Sequence, residues 1–430
     1  MDRLMLNILC GSVLAMALAG CTTSPLPATP HPVPNDPDDP ANPSLRIAVL
    51  DHHLVGDLSD PAVMAKYARA DILITQPDRF WGKDGLERNM ELLRAANPNL
   101  KIIGFFRSKC VRQEWGAYTA DQQSYDLDLY NAAQPYLSYT TTGDTLQDWP
   151  GVALFDFMDP AARDAMLDVF EHYQDTSSAK LDGVYWDYFN NELWLSPDVH
   201  TMQGEPDMDG DGVPHFEDDD ELAAFKAAQV ALVTEMRARM GNDFIQIANG
   251  ARALRDSTFA GLLDGMNYEI FPNVGFGGGA PYRDALDPAV PNNLWAANRW
   301  LRTRNGGPWQ ILENVWVPYL TDQNGVVRPL DLGDVNRAVA LLTGATVIHY
   351  ELTGQHRAGI PSVEVDLGEP LGGATIAGNV YSREFARGRV TLTMGTGAYP
   401  MGFSFRIEAH DGSGGDPELV QAVAPGYLFP

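Results

Sequence analysis

Leu181-Asp182-Gly183-Val184-Tyr185-Trp186-Asp187 is a short apolar run lying between two segments with legible helix boundaries. Before it, Asp159-Pro160 sets an N-cap and a first-turn proline ahead of a helix over Ala161 to His172. After it, a helix over Glu221 to Met240 stops at Gly241, where a C′ glycine belongs. A run of this length between helices is expected to be a strand of a parallel sheet, with helices covering it.

Seven further runs repeat the pattern: Arg46–Leu50, Asp71–Thr75, Lys101–Phe106, Phe244–Asn249, Gly265–Ile270, Gln310–Val315 and Thr346–Leu352. Eight runs, most followed by a helix-period segment, predict an α/β chain closed into a (β/α)8 TIM barrel more than an open sheet. Gly151 to Phe157 is a ninth run, read as an excursion within the third connection. After Gly354 short, Gly-punctuated strands at Ser362–Leu367, Val380–Phe385, Arg389–Thr393 and Phe403–Glu408 predict a small C-terminal antiparallel β-domain. The expected boundaries are 45–358 for the barrel and 359–430 for the β-domain.

The 430 residues suffice for a large core, and 45% hydrophobic with 10% aromatic content describes a packed body. Lys and Arg total 30 against 57 Asp and Glu, a formal net charge of −27, so no nucleic-acid partner is expected: such a surface repels phosphate.

Leu4 to Ala19 is apolar except at Asn7, Gly11 and Ser12, and ends in Leu18-Ala19-Gly20-Cys21. It is short for a spanning helix and has the form of a signal peptide, here residues 1–20. Its end resembles the bacterial lipoprotein lipobox, which implies lipidation of Cys21, and Thr22 resembles the outer-membrane sorting pattern. An ordinary secretory signal cut near Ala19 is the alternative. The lipobox reading implies an exported lipoprotein anchored to the outer membrane by lipid alone. Residues 21–44 hold Pro25, Pro27, Pro30, Pro32, Pro34, Pro37, Pro40 and Pro43, the composition of an extended tether. Cys10 leaves with the signal, so Cys110 is the one thiol left to the fold and no internal disulfide is expected; Cys110 is read as structural.

Barrel chemistry belongs at the C-terminal ends of the strands, and period-two alternation selects the inward residues. Asp187 then shares a face with Tyr185, and Glu269 with Asn267. The same rule places Asp51, Arg107, Asn249, Glu313, His349 and Glu351 near the mouth. Several acids, one Arg and one amide are the equipment of glycoside hydrolysis, in which one carboxyl protonates the leaving oxygen and one carboxylate attacks or activates water. Glu269 lies between Tyr268 and Phe271, and a carboxyl against aromatic surface holds its proton to higher pH, as a general acid requires. The bland alternatives are a turn cap for Asp187 and structural ion pairs for Asp51, Glu313 and Glu351. The nine tryptophans, Trp81, Trp115, Trp186 and Trp194 among them, offer sugar-stacking platforms, although most are expected in the core.

Leu181 to Asp187, Asp156-Phe157-Met158-Asp159-Pro160, Ala248-Asn249-Gly250, Met266-Asn267-Tyr268-Glu269 and Val380 to Gly388 together resemble the endo-α-1,4-polygalactosaminidase-type barrels and related hypothetical glycosyl hydrolase families of bacteria. The resemblance covers roughly residues 45 to 395. It implies a glycoside hydrolase acting on a polysaccharide, with Asp187 as nucleophile and Glu269 as acid/base.

Asp207-Met208-Asp209-Gly210-Asp211-Gly212 carries acids at positions 1, 3 and 5 and glycine at 6 of the calcium-loop template, with Asp218 at position 12. Structural calcium on Asp207, Asp209, Asp211 and Asp218 is expected, the alternative being a solvated acidic loop; no cofactor is expected for catalysis. Gly275-Phe276-Gly277-Gly278-Gly279 lacks the Lys and Ser/Thr of a phosphate loop and reads as a flexible connection. Two rival readings stand beside the hydrolase: a carbohydrate-binding lipoprotein without turnover, and a metal-dependent hydrolase centred on Asp51, His53 and His349.

Overall fold

The computed structural model describes residues 31–32, 45–54, 57–187, 189, 193–195, 204–250, 259, 261–269, 271, 285–289, 293–302, 307–313, 319–321, 327–329, 332–349, 367–394, 403–409 and 418–422. Eight parallel strands form a closed barrel: β1 (Arg46–Leu50), β2 (Ile72–Thr75), β3 (Lys101–Arg107), β4 (Gly183–Asp187), β5 (Ile245–Asn249), β6 (Gly265–Tyr268), β7 (Trp309–Leu312) and β8 (Thr346–His349). Neighbours around the barrel follow chain order, and β8 closes it against β1 with Thr346 opposite Arg46. Each of the eight apolar runs overlaps one of these strands, and the TIM barrel with a C-terminal antiparallel sheet is the observed architecture.

Three helices, α1 (Pro61–Ala68), α2 (Glu87–Ala96) and α3 (Ala120–Ala133), precede two whose ends lie where local chemistry directs. Asp159 caps α4 (Pro160–Thr176) by accepting the Ala161 amide, and Asp218 caps α5 (Asp219–Met240) by accepting those of Asp220 and Glu221. Gly241, at φ +88°, ends α5 in a conformation that side chains rarely adopt. The ninth run is indeed an excursion: Val152–Leu154 pairs with Cys110–Arg112 and Gln147–Trp149 in a small antiparallel sheet between β3 and β4.

In the second sheet the order is His31–Pro32, Thr375–Ala377, Val380–Phe385, Gly388–Met394, Phe403–Ala409 and Glu418–Ala422. His31 pairs with Ile376 and Pro32 with Thr375, so part of the proline-rich stretch serves as an edge strand. The sheet docks on the helix Leu332–Thr343, where Arg383 donates to the Leu341 carbonyl at 3.1 Å. Residues 1–30, with Cys21, and 362–366 of the expected strand at 362–367 lie outside the described residues. Among the described residues, no helix is long and apolar enough to cross a membrane.

Alternate residues of the strands fill the lumen: Ala48 and Leu50, Ile72 and Ile74, Ile103, Tyr185, Ile245 and Ile247, Trp309 and Ile311, and Ile348. Gly183 and Gly265 make room at its base, since a Cβ there would lie 2.2 Å from the Ile245 carbonyl oxygen and 2.5 Å from that of Trp309. The opposite faces pack against the helices in a second, larger core.

An aspartate precedes β2, β4 and β6, and each accepts an amide of the strand before it: Asp71 from Ile47, Asp182 from Ile102, and Asp264 from Gln246, at 2.7 to 2.8 Å. Arg94 pairs with Asp182 and Arg237 with Asp264, both at 2.6 Å, so these acids lock the barrel floor, away from the mouth. Asp264→Ala is expected to destabilise the fold by about 3 kcal/mol, because it strands a half-buried guanidinium and a buried amide. Denaturant unfolding checks this, and an unchanged midpoint would remove the floor lock from the account.

Candidate active site

The lumen alternation runs on into polar residues at the C-terminal ends of the strands. Tyr185 is followed two residues later by Asp187, Ile247 by Asn249, Gly265 by Asn267 and then Glu269, and Ile311 by Glu313. Bonds beyond the strand ladders tie these ends together: Ser108 Oγ donates to the Asp187 carbonyl at 2.8 Å, and the Phe271 amide to that of Glu313 at 2.7 Å. The site stands on strand ends and not on free loops, which fixes its side chains.

Asn249 is the centre of the arrangement. Its Nδ2 donates to Asp187 Oδ1 and to Glu269 Oε2, each at 3.1 Å, so these two oxygens are at most 6.2 Å apart, twice 3.1 Å. A carboxylate only accepts, so the amide must turn its NH2 group toward the acids. Asn249 Oδ1 then faces Asn267 Nδ2 at 3.4 Å, and Asn267 also donates to the Tyr185 hydroxyl at 2.8 Å and to Glu313. Asp187 and Glu313 are buried and Glu269 is half-buried, so the pair opens to solvent mainly on the Glu269 side.

Three carboxyls in one mouth repel one another, and the burden falls on the deepest. Burial first, then the charges of Glu269 and Asp187, push the Glu313 carboxyl well above its ordinary value, against the opposing hydrogen bond from Asn267. Glu313 thus holds its proton to higher pH than an exposed carboxyl does. Behind Asp187, Lys109 is fully buried: burial lowers its amine, while Asp148, Cys110 and Asp187 pull it back up. The Cys110 thiol is buried and pushed well above its ordinary value, chiefly by burial, which fits a structural thiol.

Most of the expected site residues converge here: Asp187, Glu269, Tyr185, Asn249, Asn267 and Glu313. Arg107 ends β3 in register with Asp187. Asp51 does not join them. Ala48 and Leu50 line the lumen, so Asp51 turns to the helix layer, where it is fully buried and accepts the Tyr67 hydroxyl at 2.8 Å. Its neighbour His52, expected to face outward, instead sets its ring edge-on against Phe105 at 4.4 Å, and burial with the Arg107 charge lowers it to about 4. Beyond Arg46 the run, Ile47 to Leu50, is apolar on both faces, and such a strand does not reveal its phase. His349 ends β8, but its side chain lies outside the described residues, as do Glu351 and residues 275–279. Among the described residues, the groups of acids and imidazoles close enough to share an ion involve 207–221 and include neither Asp51 nor His53. Trp81 and Trp186 are buried core, whereas Trp194 is exposed, with Trp149 at 5.7 Å.

Sequence reasoning missed Lys109, whose position between Ser108 and Cys110 gives no periodic signal. It also missed Asp126. Gln76, Phe105, Arg107, Trp115, Tyr125 and Asp126 line a small cavity beside β3. Burial, then the Asp78 charge, raises Asp126 to about 8. A raised carboxyl stabilises the fold fully below its unfolded value and loses that contribution as pH rises through about 8. From pH 4 to 8 the melting temperature of the native chain is therefore expected to fall relative to Asp126→Asn. Parallel melting curves for the two across this window would contradict the assignment.

No family model and no curated protein matches the chain. Solved structures do resemble it in chain path. A noncanonical maltogenic α-amylase from Thermotoga neapolitana has a TM-score of 0.46 at 11% identity, over 89% of this chain and 98% of that one. An α-amylase from Geobacillus thermoleovorans has a TM-score of 0.42 at 12% identity, over 89% and 95%. For a GH36 α-galactosidase from Geobacillus stearothermophilus the values are 0.44 and 9%, and this chain spans 55% of the galactosidase's length. At these identities the likeness is one of fold and assigns no substrate.

Proposed function

We propose that the chain is a glycoside hydrolase acting on a polysaccharide, with Asp187 as nucleophile and Glu269 as acid/base. The observation that carries this reading is the single amide, Asn249, bonded to both carboxyls at the mouth of the barrel. With one oxygen of each carboxyl bonded to the same amide, the pair can adopt the ~5 to 5.5 Å separation of retaining enzymes, and retention is the outcome we propose. In the first step Glu269 protonates the glycosidic oxygen as Asp187 Oδ1 bonds the anomeric carbon and the leaving sugar departs. In the second, Glu269 takes a proton from water, which displaces Asp187. Asn249 holds both acids in one orientation. Trp194 offers an exposed ring for stacking a sugar.

The leader, lipobox and tether belong to the same proposal: an exported lipoprotein, lipidated at Cys21 and held at the outer membrane, meets polymers there. Residues 45–430 incubated with a panel of neutral and amino-sugar polysaccharides test the enzyme reading. Release of reducing ends from a panel member supports it. Binding without release would favour a carbohydrate-binding protein.

A further inference from the structure

Between β4 and α5 the loop Asp207 to Glu221 presents acids that the catalytic reading does not use. One carboxylate oxygen each of Asp207, Asp209 and Glu221 lies within 4.8 Å of the others, and Asp209 also belongs to a second such group with Asp211 and Asp218. Clustered acids repel and are common on surfaces, so proximity alone does not make a site.

Glu221 supplies the independent observation. Its side chain is fully buried. Oε1 is engaged twice, by His215 Nδ1 at 2.7 Å and by the Met208 amide at 3.1 Å. Oε2 is buried with no hydrogen-bond partner. A buried carboxylate oxygen left unpaired is costly, and here it belongs to a group set against two further acids. A cation among them removes both penalties together.

We propose that Asp207, Asp209 and Glu221 hold a calcium ion. An all-oxygen donor set of carboxylates suits a hard cation, and the exposed Asp209 leaves one side of the group open to water, which can complete the six to eight oxygens calcium takes. Asp218, the position-12 residue of the loop template, falls not in this group but with Asp209 and Asp211, and its Oδ1 accepts the amides of Asp220 and Glu221 as the cap of α5. Glu221, in the first turn of α5, completes the group with Asp207 and Asp209. The ion then joins three pieces of chain: the loop, the first turn of α5, and the short pairing of Pro206–Asp207 with Tyr139–Thr140 from the β3–β4 connection. It fastens two connections above the barrel mouth without entering the reaction, and the inference does not depend on the hydrolase reading.

Residues 45–430, freed of metal with EDTA and dialysed, are titrated with calcium chloride by calorimetry and melted with and without calcium. Binding is expected, with a rise in melting temperature of about 3 to 5 °C at saturation. Glu221→Gln and Asp209→Asn should each weaken binding at least tenfold. Asp218→Asn should leave the melting temperature nearly unchanged and keep the calcium shift, because Asn caps a helix as well as Asp does. Asp209 is exposed, so its variant reports on the site even if the Glu221 variant fails to fold. Identical melting in EDTA and millimolar calcium would overturn the proposal. So would full affinity in Asp209→Asn, or loss of the shift in Asp218→Asn with retention in Glu221→Gln.

Discussion

Asp187→Asn and Glu269→Gln are each expected to lower kcat by about 10³-fold or more while moving the melting temperature by no more than a few degrees. Each amide keeps the shape of its acid and can still meet Asn249, so packing is preserved. What is lost is chemistry, since an amide neither attacks an anomeric carbon nor gives a proton to a glycosidic oxygen. The two variants should differ in their dependence on the leaving group. A good leaving group needs no protonation, so an activated aryl glycoside should recover much of the first step in Glu269→Gln and none of it in Asp187→Asn. Steady-state rates on a polysaccharide and on an aryl glycoside, with melting curves, check this. Equal recovery in both variants would contradict the division of roles.

Asn249→Ala is expected to lower kcat by about 100-fold or more with a smaller change in KM. The amide donates to both acids, so its removal frees two side chains whose relative placement sets the reaction. Asn249→Asp should be worse, because a third charge would face both carboxyls and leave two acceptors opposed in a partly buried mouth. A kcat within a factor of a few of the native value in Asn249→Ala would mean that the strands alone hold the pair.

Much of this was legible in the sequence, for identifiable reasons. Parallel strands covered on both faces must be apolar throughout, so the barrel announces itself as eight short runs. The helix ends are written in single residues, Asp159, Pro160 and Gly241, whose local preferences need no tertiary context. Strand phase is legible only where a polar residue breaks the run. Gly265-Met266-Asn267-Tyr268-Glu269 shows its inward face, whereas Ile47 to Leu50 does not, which is why Asp51 and His52 exchange places in the structure. The bridge at Asn249 joins residues 62 and 20 positions away, a proximity that barrel closure creates and no local pattern encodes. Likewise Asp218 fits the calcium template by spacing, but its competing duty as a helix cap appears only once the start of α5 is known.

The most direct test of the central claim is azide rescue of the two carboxyl-to-alanine variants, with products identified by proton NMR. In Glu269→Ala, an activated substrate should still load Asp187, and azide should release a glycosyl azide of the substrate's own anomeric configuration. In Asp187→Ala, azide should attack the sugar directly from the vacated side and give the opposite configuration. Retained azide from the first variant and inverted azide from the second is the result this account predicts; an inverted product from Glu269→Ala would contradict it.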